Sequence, residues 1–516
     1  MTEGAKNKIK KLVDAINRFV QSDWFLILNG IIVLIGWGCK IWVPMLCVLF
    51  AISIVPLFLG KGTKHLLGTL MTFTLIISTN RHSLNDFAWL LALIPVLLVG
   101  IIFNLIRFRR STAALHPTKI KGFHLSLIAL VIPFALAGVG SATENVYAIL
   151  AALGLVVVVA LCYTFFVVTN YDDENKKDLI EYVVKTLAIM GVIISIQMTV
   201  LFVNMGSFDK VIEACCTKQG IEIGWAGPNN IGPILAMCIP ATLYLCIRKN
   251  KFTPVFATLA IIEYMFIICT GSRGSILVVT ATLVPMLLYV MSKTENKILF
   301  GATISIIALV LLVLAAFYGD KVAPIITTLL NKGLASAGRT DGLYPEAIGL
   351  FKQHPIFGVG WDYKLGGLTS DNYTPYYFHS TALQILATMG ICGVIAFVFF
   401  FFFRYRNFLV LRKNPAVLAL MISTLCFDAY GMVDTCFFSP TFLIMTLVMT
   451  LAVEVNLPEN KCRAFGGRNP FVDIANLAKA CVAKIKSKHK KEVAVDVVAD
   501  GADNTMSANA ENDGNR

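Results

Sequence analysis

Three side chains in this sequence are of the types that could hold a bulky anion and move a proton beside it: Arg273, Arg339 and His379. Arg273 stands in Thr270-Gly271-Ser272-Arg273-Gly274-Ser275, a glycine-punctuated break that ends one apolar run and opens the next. A guanidinium forks onto phosphate oxygens. The first N–H groups of a helix, here those around Gly274 and Ser275, add free donors and a positive dipole end. Asn229 and Asn230, after Gly227-Pro228, and Ser380, after His379, open two further apolar runs with residues suited to a helix start. Histidine accepts a proton near neutral pH and is the commonest general base. Asp341, close to Arg339, is a supporting carboxylate, and Lys364 is a further cation. An interfacial arginine ordinarily snorkels to lipid phosphates. The glycines on both sides of Arg273 argue for a ligand instead, because they let it approach the backbone closely.

The elements that must position these residues are apolar. The chain of 516 residues is 57% hydrophobic and 15% charged, a composition that places it in a membrane. Runs long enough to cross ~30 Å of hydrocarbon fall near 24–39, 41–59, 66–79, 87–106, 123–140, 146–169, 180–203, 229–247, 253–270, 275–291, 298–317, 380–403, 416–433 and 438–456. The expected fold is an all-α polytopic bundle of 12 to 14 transmembrane helices spanning 24–457, after an N-terminal segment 1–23 and before a tail 458–516. Lys and Arg favour cytoplasmic loops, and alternate segments here hold roughly 23 against about ten on the other side. Both termini are therefore expected in the cytoplasm, and a long loop, Gly319 to His379, outside. Loops of about sixty residues are usually functional or disordered; the aromatics, glycines and prolines in this one favour order. All three helix starts named above then face one compartment. The apolar stretch Phe252 to Met291 would be about 60 Å long as one helix, so it must turn at the Arg273 break.

Other residues carry weaker signals. Glu263 and Asp428 are intramembrane carboxylates, which are costly and often functional. Glu181 and Lys185, four apart, are expected to pair on one helix face. Gly358-Val359-Gly360 lacks the context of a nucleotide fingerprint and reads as a tight turn. His354-Pro355 reads as a turn, and Asn372-Tyr373-Thr374 matches a glycosylation sequon. The 13 cysteines show no metal-ligand spacing and read mostly as small apolar residues, although Cys215-Cys216 in the outer loop 204–228 could join another outer cysteine. No Walker motif, metal cluster or Ser/His/Asp set is apparent, so no metal or cofactor is expected. The net charge of +13 is mostly topological and implies no nucleic-acid partner; inner clusters such as Arg107, Arg109 and Arg110 suit anionic lipids. The tail begins basic, in a form that suits an amphipathic helix on the inner leaflet, and ends acidic and Asn-rich, a composition of disorder. No internal repeat and no cleavable signal peptide is visible.

Thr270-Gly271-Ser272-Arg273-Gly274, Gly338-Arg339, His354-Pro355-Ile356-Phe357-Gly358-Val359-Gly360-Trp361, and His379-Ser380 leading to Leu383-Gln384 and Met389-Gly390-Ile391-Cys392-Gly393 form an ordered set. It resembles the O-antigen ligase/polymerase family of bacterial envelope proteins over about residues 225–395. The resemblance implies a multi-spanning glycosyltransferase of the cytoplasmic membrane that works in surface polysaccharide assembly. Its donor would be an undecaprenyl-diphosphate-linked glycan on the outer side, and its acceptor a second glycan, a lipid core or a protein. It implies that Arg273 and Arg339 hold the donor diphosphate and that His379 helps deprotonate the acceptor hydroxyl, with inversion and without a required metal. Two positions depart from the family pattern: Ser380 follows the histidine where Asn is common, and a tryptophan usual after the loop arginine is missing, with Tyr344 nearest. A transporter, such as a flippase of lipid-linked oligosaccharides, is the reading from another class. It would place its polar groups near mid-membrane and often shows repeated halves, neither of which is seen.

Overall fold

The computed structural model describes residues 3–79, 93–141, 146–171, 176–247, 251–331, 339–361 and 378–470, with parts of 472–482. Among these the regular elements are helices, with no strand. The helices are α1 Glu3–Val20, α2 Asp23–Gly38, α3 Trp42–Leu59, α4 Lys64–Thr72, α5 Leu93–Arg107, α6 Gly122–Ala129, α7 Val131–Leu136, α8 Val146–Tyr171 and α9 Lys176–Asn204. They continue as α10 Phe208–Thr217, α11 Pro228–Tyr244, α12 Thr253–Cys269, α13 Arg273–Lys293, α14 Lys297–Asn331, α15 Tyr344–Gln353, α16 Thr381–Val410, α17 Pro415–Gly431 and α18 Pro440–Glu454. Six of them, α3, α8, α9, α13, α14 and α16, are long and apolar enough to cross a membrane, and α1 with α2 forms a further pair bent by 70°. Five shorter apolar helices accompany them. The protein is a polytopic helical membrane protein.

The bundle is built around α11, which packs on α9, α12, α13 and α17 and is buried continuously from Ile231 to Tyr244. Pro228 begins it with a fixed φ, where its missing N–H costs no hydrogen bond. The outer helices show the inverse pattern: α14 leaves Ile306, Leu309, Leu312 and Phe317 exposed, which is the expected state of side chains that face lipid rather than water.

α14 also revises the loop boundary. Residues 319–331, read above as loop, continue this helix to Asn331. At 1.5 Å per residue its 35 residues span about 52 Å, so about 20 Å extends past the hydrocarbon. Gly319, Asp320 and Pro324 suggest a loop by composition. The helix persists because Lys321 reaches Asp209 on α10 at 3.7 Å and Tyr318 packs on Phe208. Lys185 likewise departs from the expected pairing with Glu181: its ammonium lies 2.5 Å from Asp23 on α2, and Glu181 accepts from the Tyr244 hydroxyl at 3.5 Å. Tertiary partners within reach replaced the local one.

α16 is broken. Gly390 has φ 58° and ψ −154°, which no helix tolerates, and divides it into a short leading piece and a long trailing one. The freed backbone groups are satisfied by segment 355–360, a turn and the residues after it, laid into the break. Val359 N–H donates to Ala387 O and Gly360 N–H to Thr388 O, both at 2.9 Å, while Ile391 and Cys392 donate back to Pro355 O and Ile356 O at 2.9 and 3.1 Å. Membrane backbone needs such internal partners. A Cβ on Gly390 would sit 2.6 Å from Ile356 O, and one on Gly358 2.3 Å from Thr388 C. The His354-to-Trp361 motif is thus a backbone plug, anchored by the Trp361 ring stacked on Phe134 at 5.0 Å.

Candidate active site

The site forms where the end of α17 meets three helix starts. Tyr430, one turn before Asp434, places its buried hydroxyl 2.9 Å from Asn229 O at the start of α11 and 3.0 Å from Asp434 Oδ2. Asp434 Oδ1 accepts from the Thr435 amide at 2.8 Å and lies 3.1 Å from His379 Nδ1. Thr381 in the first turn of α16 donates to Asp434 O at 3.2 Å. Arg339, in a single π-helical turn (Arg339–Leu343), donates to Val433 O at 2.5 Å. One five-residue segment, Tyr430 to Asp434, therefore holds Asn229, Arg339 and His379 together.

His379 is held in an unusual conformation. Its φ is 47°, a left-handed geometry that costs a non-glycine residue roughly 1–2 kcal/mol. Ser380 next to it caps α16 by accepting from Leu383 N–H, and Gln384 Oε1 accepts the Phe378 N–H at 3.3 Å. The Tyr344 hydroxyl reaches His379 O at 3.5 Å. With Nδ1 turned to Asp434, the other ring nitrogen is directed away from the carboxylate, and the side chain stays 41% exposed. Burial pushes the Asp434 carboxyl up, but hydrogen bonds from His379 and the Thr435 amide, the charge of His379 and the Tyr430 hydroxyl together hold it below its ordinary value. A carboxylate that stays ionised fixes the tautomer and stabilises the imidazolium that forms when the ring takes a proton.

Arg273 opens α13, half-buried, between Ser272 and Gly274. Its flanking glycines do not provide the clearance inferred from sequence. A Cβ on Gly274 would meet Val433 at 2.7 Å and the Tyr430 ring at 3.0 Å, and one on Gly271, where φ is 59°, would meet Lys218 at 3.2 Å. They are small because α17 and the end of α10 pack directly on the break. Ser275 is fully buried, its hydroxyl 3.0 Å from Ser272 Oγ and facing Gly232 of α11. Gly274 and Ser275 therefore fix where α13 starts, and hence where Arg273 stands. Asn229 and Asn230 are exposed at the start of α11, with Lys218 donating to Asn229 Oδ1 at 3.3 Å. Asp341 is exposed, accepts from Thr340 at 3.2 Å and has no contact with the cluster around Asp434 among the described residues. Lys364 and the sequon Asn372-Tyr373-Thr374 lie outside the described residues.

Asp434, Tyr430 and Lys218 were not singled out from the sequence. The available signal for Asp434 was a carboxylate just beyond an apolar run, one turn after a tyrosine, at the same end of the bundle as the three helix starts. Asp428, which did attract notice, is an ion-pair partner of the buried Arg404 and accepts from Tyr405 at 2.6 Å. Glu263 is enclosed as well, accepting from Thr242 at 3.1 Å beside Gly191, whose missing side chain leaves it room.

An apolar groove of about 460 Å³ runs from Thr381 beside the site, along Ile385, Phe397 and Phe401, to Tyr405 and Asp428. A second cavity of about 340 Å³ lies beyond the far end of the bundle, near Lys119, Lys121 and Glu459. There the Lys121 ammonium donates to the carbonyls of Pro458, Glu459 and Lys461 and holds the turn after α18.

Residues 255–398 match the family described as O-antigen ligase, the family that the ordered motifs resemble. The matched stretch runs from α12 through the break in α16 and contains Arg273, Arg339 and His379. No curated protein matches the chain.

Proposed function

We propose that this membrane protein, whose residues 255–398 match the O-antigen ligase family, transfers a glycan from an undecaprenyl-diphosphate carrier to an acceptor hydroxyl on the extracytoplasmic face of a bacterial inner membrane. The observation that carries the reading is the His379–Asp434 pair set among three helix starts with Arg339 on the adjoining carbonyl. In the reaction the acceptor hydroxyl gives its proton to His379 Nε2 as its oxygen bonds to the anomeric carbon. The bond from that carbon to the diphosphate breaks, and its electron pair leaves with the diphosphate. Attack opposite the leaving group inverts the anomeric centre. Arg273 and Arg339 supply positive charge to the departing diphosphate, where charge develops and such donors contribute most. Asp434 holds Nδ1 so that Nε2 faces the acceptor. The groove starting at Thr381 suits a long polyprenyl chain lying beside the bundle, with its diphosphate at the site and its tail along Phe397 and Phe401.

The test is reconstitution with a polyprenyl-diphosphate oligosaccharide and separate acceptors, comparing wild type with Arg273→Ala, Arg339→Ala and His379→Ala. Each arginine variant is expected to lose on the order of 10²–10³ in transfer rate, as for removal of one donor to developing charge. Undiminished transfer by both would sink the diphosphate clamp. Product length separates the subclasses: a ladder identifies a polymerase, and a single transfer to a distinct acceptor identifies a ligase.

A further inference from the structure

α10 lies across the elbow that presents Arg273. Ser207 caps its start, accepting from Lys210 N–H, and Lys218 ends it in the left-handed region with φ 67°. That end touches two helix starts: Lys218 donates to Asn229 of α11, while Cys215 O and the Lys218 side chain fill the space beside Gly271, just before α13. Cys215 on α10 is buried, and its thiol is in hydrogen-bonding contact with the thiol of Cys269, the last residue of α12. Cys269 precedes the Thr270-Gly271-Ser272-Arg273 break directly. Two thiols from separate elements thus meet at the base of the anion-holding elbow.

We infer that Cys215 and Cys269 are joined by a disulfide in the working protein, clamping α10 onto the Arg273 elbow. The inference rests on the proposed extracytoplasmic orientation of this face, since disulfides form and persist in oxidising compartments. Formation is thiol–disulfide exchange with an incoming disulfide. Both S–H bonds are lost and one S–S bond forms, and the two electrons and two protons leave on the incoming disulfide, which departs as two thiols. Cys216, adjacent in sequence, is not the partner: the thiol contact of Cys269 is with Cys215. The bond would close a loop from 215 to 269 that contains α11 and α12, and hold Lys218 against Asn229. The clamp restricts the unfolded chain as well as the elbow.

The experiment uses the full-length protein, alkylated during isolation from membranes and digested without reduction, with peptide mass spectrometry as readout. The expected result is a linked pair containing Cys215 and Cys269 in wild type and in Cys216→Ser, and none in Cys215→Ser or Cys269→Ser. Fully reduced protein treated with oxidised glutathione in detergent should form the same link. Failure of that step overturns the inference on geometry, and a Cys216–Cys269 link overturns the pairing. A link that forms in detergent while both thiols are free on isolation overturns the disulfide as the resident form, and points to the orientation as the fault. Reduction should lower the melting temperature of wild type and Cys216→Ser and leave Cys215→Ser and Cys269→Ser unchanged; an equal shift in all four overturns the clamp. The transfer assay is independent, so a linked protein that transfers nothing would leave this inference standing and remove the proposed function.

Discussion

At the residue scale, the side chain on which the proposed chemistry turns is Asp434, because it bonds His379 on one side and Tyr430, which reaches the start of α11, on the other. Asp434→Asn keeps the shape of the side chain but removes the negative charge beside His379 Nδ1. Transfer should fall by about 10², against about 10²–10⁴ for His379→Ala, with the wild-type rate profile on pH altered in the Asn variant. A readout of stability checks the same carboxylate. Its folded-state value lies below its ordinary 3.8, so its stabilising contribution is fully present above that value and is lost as pH falls through the folded one. The melting-temperature gap between wild type and Asp434→Asn should therefore close as pH falls through the folded value; a gap that persists unchanged in solution more acid than that contradicts the assignment. Arg273, Arg339 and His379 were legible in the sequence because their types are rare against an apolar background. Asp434 was not, since its meaning depends on which helix end lies beside it, and adjacency of elements far apart in sequence leaves no periodic trace.

At the scale of elements, hydropathy located the apolar helices because burial in lipid or in the bundle is what such runs record. It gave no account of where a helix breaks. The discontinuity in α16 depends on one φ at Gly390 and on four hydrogen bonds exchanged with a segment about thirty residues earlier. Gly390→Ala should destabilise the protein by about 1–3 kcal/mol from backbone strain alone, with an added steric cost from Ile356 O, and should displace His379 by shifting the leading piece of α16. Gly349→Ala is the control: it lies in α15 with nothing near its Cβ position, so its effect should be within about 1 kcal/mol and in the stabilising direction. Thermal unfolding of the two variants beside wild type checks both. Equal melting temperatures would mean that the break is not required. Polarity misled in the opposite sense at 319–331, where contacts with α10 sustain a helix that composition alone would end.

At the scale of the whole molecule, the alternation of basic loops supports cytoplasmic termini. Single cysteines at Thr369 and Lys413, in a background with accessible native thiols replaced, should react with a membrane-impermeant maleimide from opposite sides, Thr369 from outside intact cells and Lys413 only after lysis. The reverse pattern would overturn the orientation and with it the compartment proposed for the reaction. The family match covers 255–398, yet Asp434, which bonds His379, and Val433, whose carbonyl accepts from Arg339, lie after it in the chain. The matched stretch is consequently not a portable cassette. Grafted onto another bundle it would carry its arginines and its histidine without the bracket that aligns them. A chain cut after α16 would keep every residue of the match and lose Tyr430 and Asp434, presenting an intact signature without the carboxylate beside His379.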